Sequence, residues 1–199
     1  ANSRCATRSN RSEACTRLVD DPRLPELWPE YLVVQHQIIR ATVPLTRVAL
    51  DRANELGDDP AGLAVYLELH VDEELGHDET LLDDLVLLGR ERGEVLERMP
   101  SPAVASVVGA QYYWILHHHP VAFLGYVGVM EGYPPTDELI ETLIERTGLP
   151  REAFRTFVRA RLPADCKAEF ISHAGAPAIA LDWGMTQLAA ARTALTQEW

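Results

Sequence analysis

The chain has 199 residues, of which 47% are hydrophobic and 24% are charged, and its formal net charge is −12 at pH 7. This size and composition are typical of one globular domain with a substantial core. We expect that domain to comprise residues 21–199, preceded by a flexible N-terminal arm of residues 1–20. The negative charge argues against nucleic acids and anionic membranes as partners, because both are bound through basic patches.

The sequence does not predict export or membrane insertion. No apolar run approaches the roughly 20 residues that span a bilayer, and no secretory signal is recognisable near the first residue. The three cysteines, Cys5, Cys15 and Cys166, do not make a disulfide framework. We therefore expect free thiols and a cytoplasmic location.

Helical spacing of apolar residues runs through most of the chain, and no strand alternation persists. A long helix is predicted from Leu24 to about Leu56, with Pro44 as a kink or a restart. A second helix is predicted over residues 68–88, and Ser101 is the predicted N-cap of a third, which ends before Pro120.

The second half of the chain continues in the same way. Residues 121–130 are apolar nearly all round, which predicts a helix buried on every side. A helix from Asp137 to Thr147 is followed by Gly148, a C-cap signal, and two further helical stretches cover 150–160 and 163–199. The predicted fold class is all-α, a single helical bundle.

The predicted helix over residues 68–88 carries metal-ligand chemistry on one face. At about 100° per residue, the side chains of His70, Glu74 and His77 fall within roughly a 60° arc. Two imidazoles and a carboxylate can converge on one point beside the helix, where iron, manganese or zinc accepts that mixture. The alternative is an acidic, solvated face with two incidental histidines.

Four blocks in the same order resemble the heme-oxygenase-like superfamily, and within it the branch of iron-containing redox enzymes called heme-oxygenase-like diiron oxidases. The segment from Leu32 to Leu45 is similar to the first core helix of that family, and the segment from His70 to Gly89 to its first ligand helix. Residues 112–134 resemble its central helix, and Gly148 to Thr156 the lead-in to its last ligand helix.

The resemblance implies a bundle of about seven helices that holds iron and activates dioxygen against a small organic substrate, in bacterial and specifically natural-product metabolism. The implied metal ligands are Glu74, His77 and Glu131, with His70 where some members place a carboxylate. Dioxygen is an implied partner if iron is bound, and a homodimer is left open. The expected substrate pocket lies between the central and ligand helices and is lined by Tyr112, Phe123, Tyr126, Met130 and Tyr133.

The sequence departs from the family at the last ligand helix. The family places a histidine, an aspartate and a second histidine there, and the aligned residues here are Ala160, Ala164 and Lys167. An alanine has no donor atom, and an ammonium has no lone pair to offer. A complete diiron site therefore cannot form if this alignment holds.

Three alternatives remain open for that region. A shifted helix could rebuild half of the site from Asp165, Glu169 and His173, or a mononuclear centre could remain on the four ligands named above. The metal could also have been lost, leaving a cofactor-free catalyst or a non-catalytic binding protein. In that case Lys167, the only lysine, could pair with the pocket carboxylates, act as a nucleophile or simply face solvent.

The family resemblance also bears on the roles of two further histidines, His36 and His119. Heme ligation as in the founding heme oxygenases would need a histidine on the first core helix, and His36 is available there, although the blocks that match belong to the non-heme branch. The family also keeps the His119-Pro120 pair, which suggests that His119 has a packing or capping role.

Overall fold

The computed structural model describes residues 13–57, 62–131 and 135–159. The described residues form ten α-helices, joined by turns and two short 3-10 segments, and contain no β-strand. In chain order the helices are α1 (Glu13–Asp20), α2 (Leu24–Ile39), α3 (Thr42–Leu56), α4 (Leu63–Glu74), α5 (His77–Leu87), α6 (Arg92–Glu97), α7 (Pro102–His117), α8 (Phe123–Glu131), α9 (Asp137–Thr147) and α10 (Arg155–Arg159). The all-α prediction is confirmed.

Helix α1 occupies the second half of the segment expected to be a flexible arm. Its residue Val19 is only 4% exposed and packs in the core with Leu24 and Trp28 of α2. No apolar repeat predicts this helix, because eight residues are too few to show one clearly. Leu18 packs against the same cluster, so two adjacent apolar side chains attach α1 to the bundle.

The predicted long helix from Leu24 to Leu56 is interrupted at Arg40 and Ala41, between α2 and α3. Pro44, in the first turn of α3, has no N–H to donate to the carbonyl of residue 40, and its ring would clash with that carbonyl in a continuous helix. The helix therefore restarts two residues before the proline. The prediction that the helix restarts is confirmed, but the new helix begins at Thr42 and not at Pro44.

The apolar side chains gather in two core clusters. The first cluster joins α2 and α5 to α9 and to the 3-10 segment before α10, and its largest fully buried side chains include Leu24, Leu81, Leu82, Leu85 and Phe154. The second cluster joins α3, α4, α7 and α8 around Leu45, Leu67, Ile115 and Phe123, all 0% exposed. Helices α4 and α5 are consecutive in the chain but pack in different clusters.

Several helix ends follow the local sequence. The Ser101 hydroxyl accepts a hydrogen bond from the Val104 N–H at 3.3 Å, as predicted for the N-cap of α7. Helix α9 has the predicted bounds, and Gly148 ends it at φ +64°, a left-handed conformation that glycine adopts at little cost. None of the described helices combines the length and the apolar character needed to cross a bilayer.

Candidate functional site

The segment expected to be one ligand-bearing helix is two helices. Leu75 leaves the helical conformation with ψ 121°, and Gly76 turns the chain at φ +83° before α5 begins at His77. Glycine populates this left-handed region almost freely, whereas the same conformation costs other residues about 1–2 kcal/mol. The prediction of a continuous helix over 68–88 is therefore wrong, and so is the arc calculated from it.

The turn nevertheless brings the two expected ligands into contact. The Nδ1 atom of His77 lies 3.0 Å from Oε2 of Glu74, within hydrogen-bond distance. The Glu74 side chain is 13% exposed and that of His77 is 31% exposed, so the pair lies at the edge of the interior. Glu74 is the last residue of α4 and His77 the first of α5, which makes the turn at Gly76 the element that joins them.

His70 lies one turn before Glu74 and is almost completely buried, at 1% exposure. Its ring stacks on that of Tyr66, with centroids 5.5 Å apart and planes 14° from parallel. Burial lowers the pKa of His70; the carboxylate of Glu74 opposes that shift, and His77 reinforces it. The three groups are thus electrostatically coupled, and His70 is held as a neutral imidazole at neutral pH.

The expected fourth ligand, Glu131, is the last residue of α8, and its side chain lies outside what the structure describes. The positions aligned with the last ligand helix, Ala160, Ala164 and Lys167, also lie outside the described residues, as do Asp165, Glu169 and His173. Among the described residues, no three histidine, cysteine, aspartate or glutamate side chains form a group that could hold a metal ion.

Three of the five expected pocket residues belong to the second core cluster. Phe123 and Tyr126 are buried and stack with ring centroids 5.6 Å apart, and Tyr112 is partly buried against the same cluster. Met130 is 39% exposed, and Tyr133 lies outside the described residues. Tyr66, the stacking partner of His70, packs against this cluster too. Aromatic side chains therefore pack in the core cluster that adjoins His70.

His36 is buried on α2 at 1% exposure. Burial lowers the pKa of His36 and Arg40 acts in the same direction, whereas Asp78 and Glu79 at the start of α5 oppose the shift. Its Nδ1 atom has no hydrogen-bond partner among the described residues.

His119 caps the 3-10 segment that follows it, since its Nδ1 accepts a hydrogen bond from the N–H of Val121 at 3.1 Å. The capping role suggested for His119 is confirmed.

Sequence reasoning missed a buried polar contact between distant parts of the chain. Asp84 of α5 is completely buried and accepts hydrogen bonds from Arg155 and from Thr156. The available signal was weak: an aspartate inside the apolar run from Leu81 to Leu88 is costly to bury without a partner.

Comparison with known proteins establishes the fold class. The structure superposes on a crystal structure from Shewanella denitrificans OS217, described as a domain of unknown function with a heme oxygenase-like fold, with a TM-score of 0.58 and 19% sequence identity over 87% of this chain and 68% of that one. Neither the family models nor the curated sequences compared with the chain match it. The chain therefore has a heme oxygenase-like fold.

Proposed function

We propose that the protein is a non-heme iron oxidoreductase that acts on a small organic substrate. The observation that carries the proposal is the 3.0 Å separation between the carboxylate oxygen of Glu74 and the ring nitrogen of His77. A carboxylate oxygen and an imidazole nitrogen are both ligands that iron accepts. The turn at Gly76 therefore brings together two side chains that could hold the ion.

The surroundings of the pair fit the same function. Glu74 and His77 are partly buried, where a cation between them would be screened less than at the surface. His70 and Glu131 are the further ligands that the family resemblance implies, and the aromatic cluster of Tyr112, Phe123 and Tyr126 would hold an apolar substrate away from water. Bound iron would supply the activation of dioxygen.

The test is the iron content of the chain after anaerobic loading with iron(II) and desalting. We expect about one or two irons per chain, a range that includes a mononuclear centre, and we expect Glu74→Gln, His77→Ala and Glu131→Ala to lose them. Glu68→Gln and His117→Ala are matched controls, because both side chains are exposed and neither is an expected ligand. Dioxygen consumption should follow iron content across the series.

A second candidate function is that of a metal-free member of the fold. The same contact favours it, since a Glu74–His77 hydrogen bond satisfies both groups without an ion. The sequence also favours it, because Ala160, Ala164 and Lys167 offer no metal ligand at the positions aligned with the last ligand helix. If the natural chain retains no iron but the variant Ala160→His/Ala164→Asp/Lys167→His does, the natural protein is metal-free, and Lys167→Ala becomes the next variant to assay.

A further inference from the structure

Asp84 is a carboxylate buried in the middle of α5, with no exposed surface. Its Oδ1 accepts a hydrogen bond from Nε of Arg155 at 2.9 Å, and its Oδ2 accepts two more, from the N–H and the hydroxyl of Thr156 at 3.0 and 2.9 Å. A buried charge is tolerated only when partners compensate it. One guanidinium and two neutral donors do so here.

These donors stand where a new helix begins. Arg155 and Thr156 are the first two residues of α10, and an N–H in the first turn of a helix has no acceptor within that helix. Asp84 supplies the acceptor from another helix, across 72 residues of sequence. Three directional bonds on two oxygen atoms fix both the position and the rotation of the start of α10 against α5.

The attachment lies on the face of α5 that carries His77. The two residues are seven positions apart, which on a helix is about 10.5 Å along the axis and about 20° in rotation. Ala153 and Phe154, directly before the two donor residues, are 0% exposed. They pack with Leu81 and Leu85 of α5. Residues 155–159 therefore start from a point on α5 that is fixed relative to His77.

We infer that Asp84 is a positioning residue: it sets the register of residues 155–159 against the His77 face of α5, and through it the geometry around the Glu74–His77 pair. The second half of this inference rests on the proposed function. The first half does not, because the register is a property of the metal-free chain and can be measured without iron.

The test combines hydrogen exchange of the metal-free chain with iron(II) retention, in Asp84→Asn and in Thr156→Val. Asp84→Asn removes the charge that Arg155 pairs with, and Thr156→Val removes the hydroxyl donor while keeping the shape and the N–H. We expect amide exchange in residues 155–159 to rise by roughly tenfold or more, as for a local opening, with little change in α2. Iron retention should fall in both variants.

Two controls separate positioning from general stability. Asp83→Asn changes the neighbouring carboxylate, which is 60% exposed, and should alter neither readout. Leu45→Ala, in the second cluster, should destabilise the whole bundle; at equal loss of stability it should raise exchange throughout the chain and retain more iron than Asp84→Asn.

The outcomes are distinguishable. If amide exchange in residues 155–159 of Asp84→Asn is unchanged, or if exchange rises evenly over the whole chain, the inference that Asp84 sets the register is wrong. A local rise with full iron retention would overturn the link to the site and leave the proposed function standing. If the wild-type chain retains no iron, the proposed function fails, and the exchange measurement alone decides whether Asp84 sets the register.

Discussion

Gly76 is the residue on which the candidate site depends most directly. Its left-handed conformation, φ +83°, ends α4 and starts α5, and it brings the carboxylate of Glu74 to the imidazole of His77. A Cβ atom placed at Gly76 would meet no atom within 4 Å. The constraint at this position is therefore conformational and not steric.

We expect Gly76→Ala to destabilise the protein by about 1–2 kcal/mol, the cost of a left-handed conformation for an L-residue. Thermal unfolding measures this, and the melting temperature should fall by roughly 2–4 °C per kcal/mol for a chain of this size. Iron retention should fall as well if the turn holds the two ligands together.

Gly109→Ala is the matched control for this change. Gly109 lies inside α7, where an added Cβ also meets no atom within 4 Å and the backbone is helical. The same substitution should therefore stabilise the protein there by about 0.5–1 kcal/mol. Equal effects of the two substitutions would contradict the conformational explanation.

At the scale of helices, α2 and α5 lie against each other and enclose a histidine that burial keeps neutral. The pKa of His36 is lowered by that burial, while an unfolded chain would give it an ordinary value near 6.5. Below about pH 6.5 the unfolded state binds the proton more readily than the folded state. Stability is therefore full above that pH and is lost as the pH falls further.

We expect the free energy of unfolding to fall as the pH is lowered through about 6.5 and below, with at most about 1.4 kcal/mol per pH unit from this one group. Urea unfolding of the wild type and of His36→Gln measures it. The variant should be less stable at neutral pH, because it loses a packed ring, but its stability should depend less on pH. The exposed His117→Gln should keep the wild-type slope, and an unchanged slope in His36→Gln would contradict the assignment.

Helix ends and helix packing were predictable from the sequence to different degrees. The N-cap at Ser101 and the C-cap at Gly148 depend on neighbouring residues only, and both were predicted correctly. The turn at Gly76 was not predicted, because the apolar spacing continues across it and one glycine inside a helical pattern is often tolerated. The Asp84 contact was beyond prediction, because its donors lie 71 and 72 residues away.

The candidate site shows the same division. Helical spacing placed Glu74 and His77 near each other, and they are, but by way of a turn rather than along one helix. The burial of His70 against Tyr66 depends on how α4 packs, which local pattern does not specify. The ligand roles of these residues remain predictions.

At the scale of the whole molecule, the bundle is built on two core clusters that meet through consecutive helices. Leu67 of α4 belongs to one cluster and Leu82 of α5 to the other, and the turn at Gly76 connects them. The expectation of a single domain predicts that the two clusters unfold together, although among the described residues no side chain belongs to both.

We expect Leu67→Ala and Leu82→Ala each to lower the free energy of unfolding by about 2–5 kcal/mol, the cost of a cavity at a fully buried leucine. In each variant the transitions followed by circular dichroism and by tryptophan fluorescence should coincide, as in a two-state reaction. Trp28, one of the four tryptophans, belongs to the first cluster, so its contribution to the fluorescence reports on that cluster. Two separate transitions would show that residues 21–199 are not one cooperative unit.

The contact of Asp84 with Arg155 and Thr156 also has a consequence for biosynthesis. Asp84 is translated 72 residues before Thr156, which donates two hydrogen bonds to its carboxylate. At 5–20 residues per second the delay is about 4–14 s. During that time α5 carries an unpaired charge that water must solvate, so its inner face cannot be fully buried. Completion of the first core cluster on the ribosome therefore waits for the segment around residue 155.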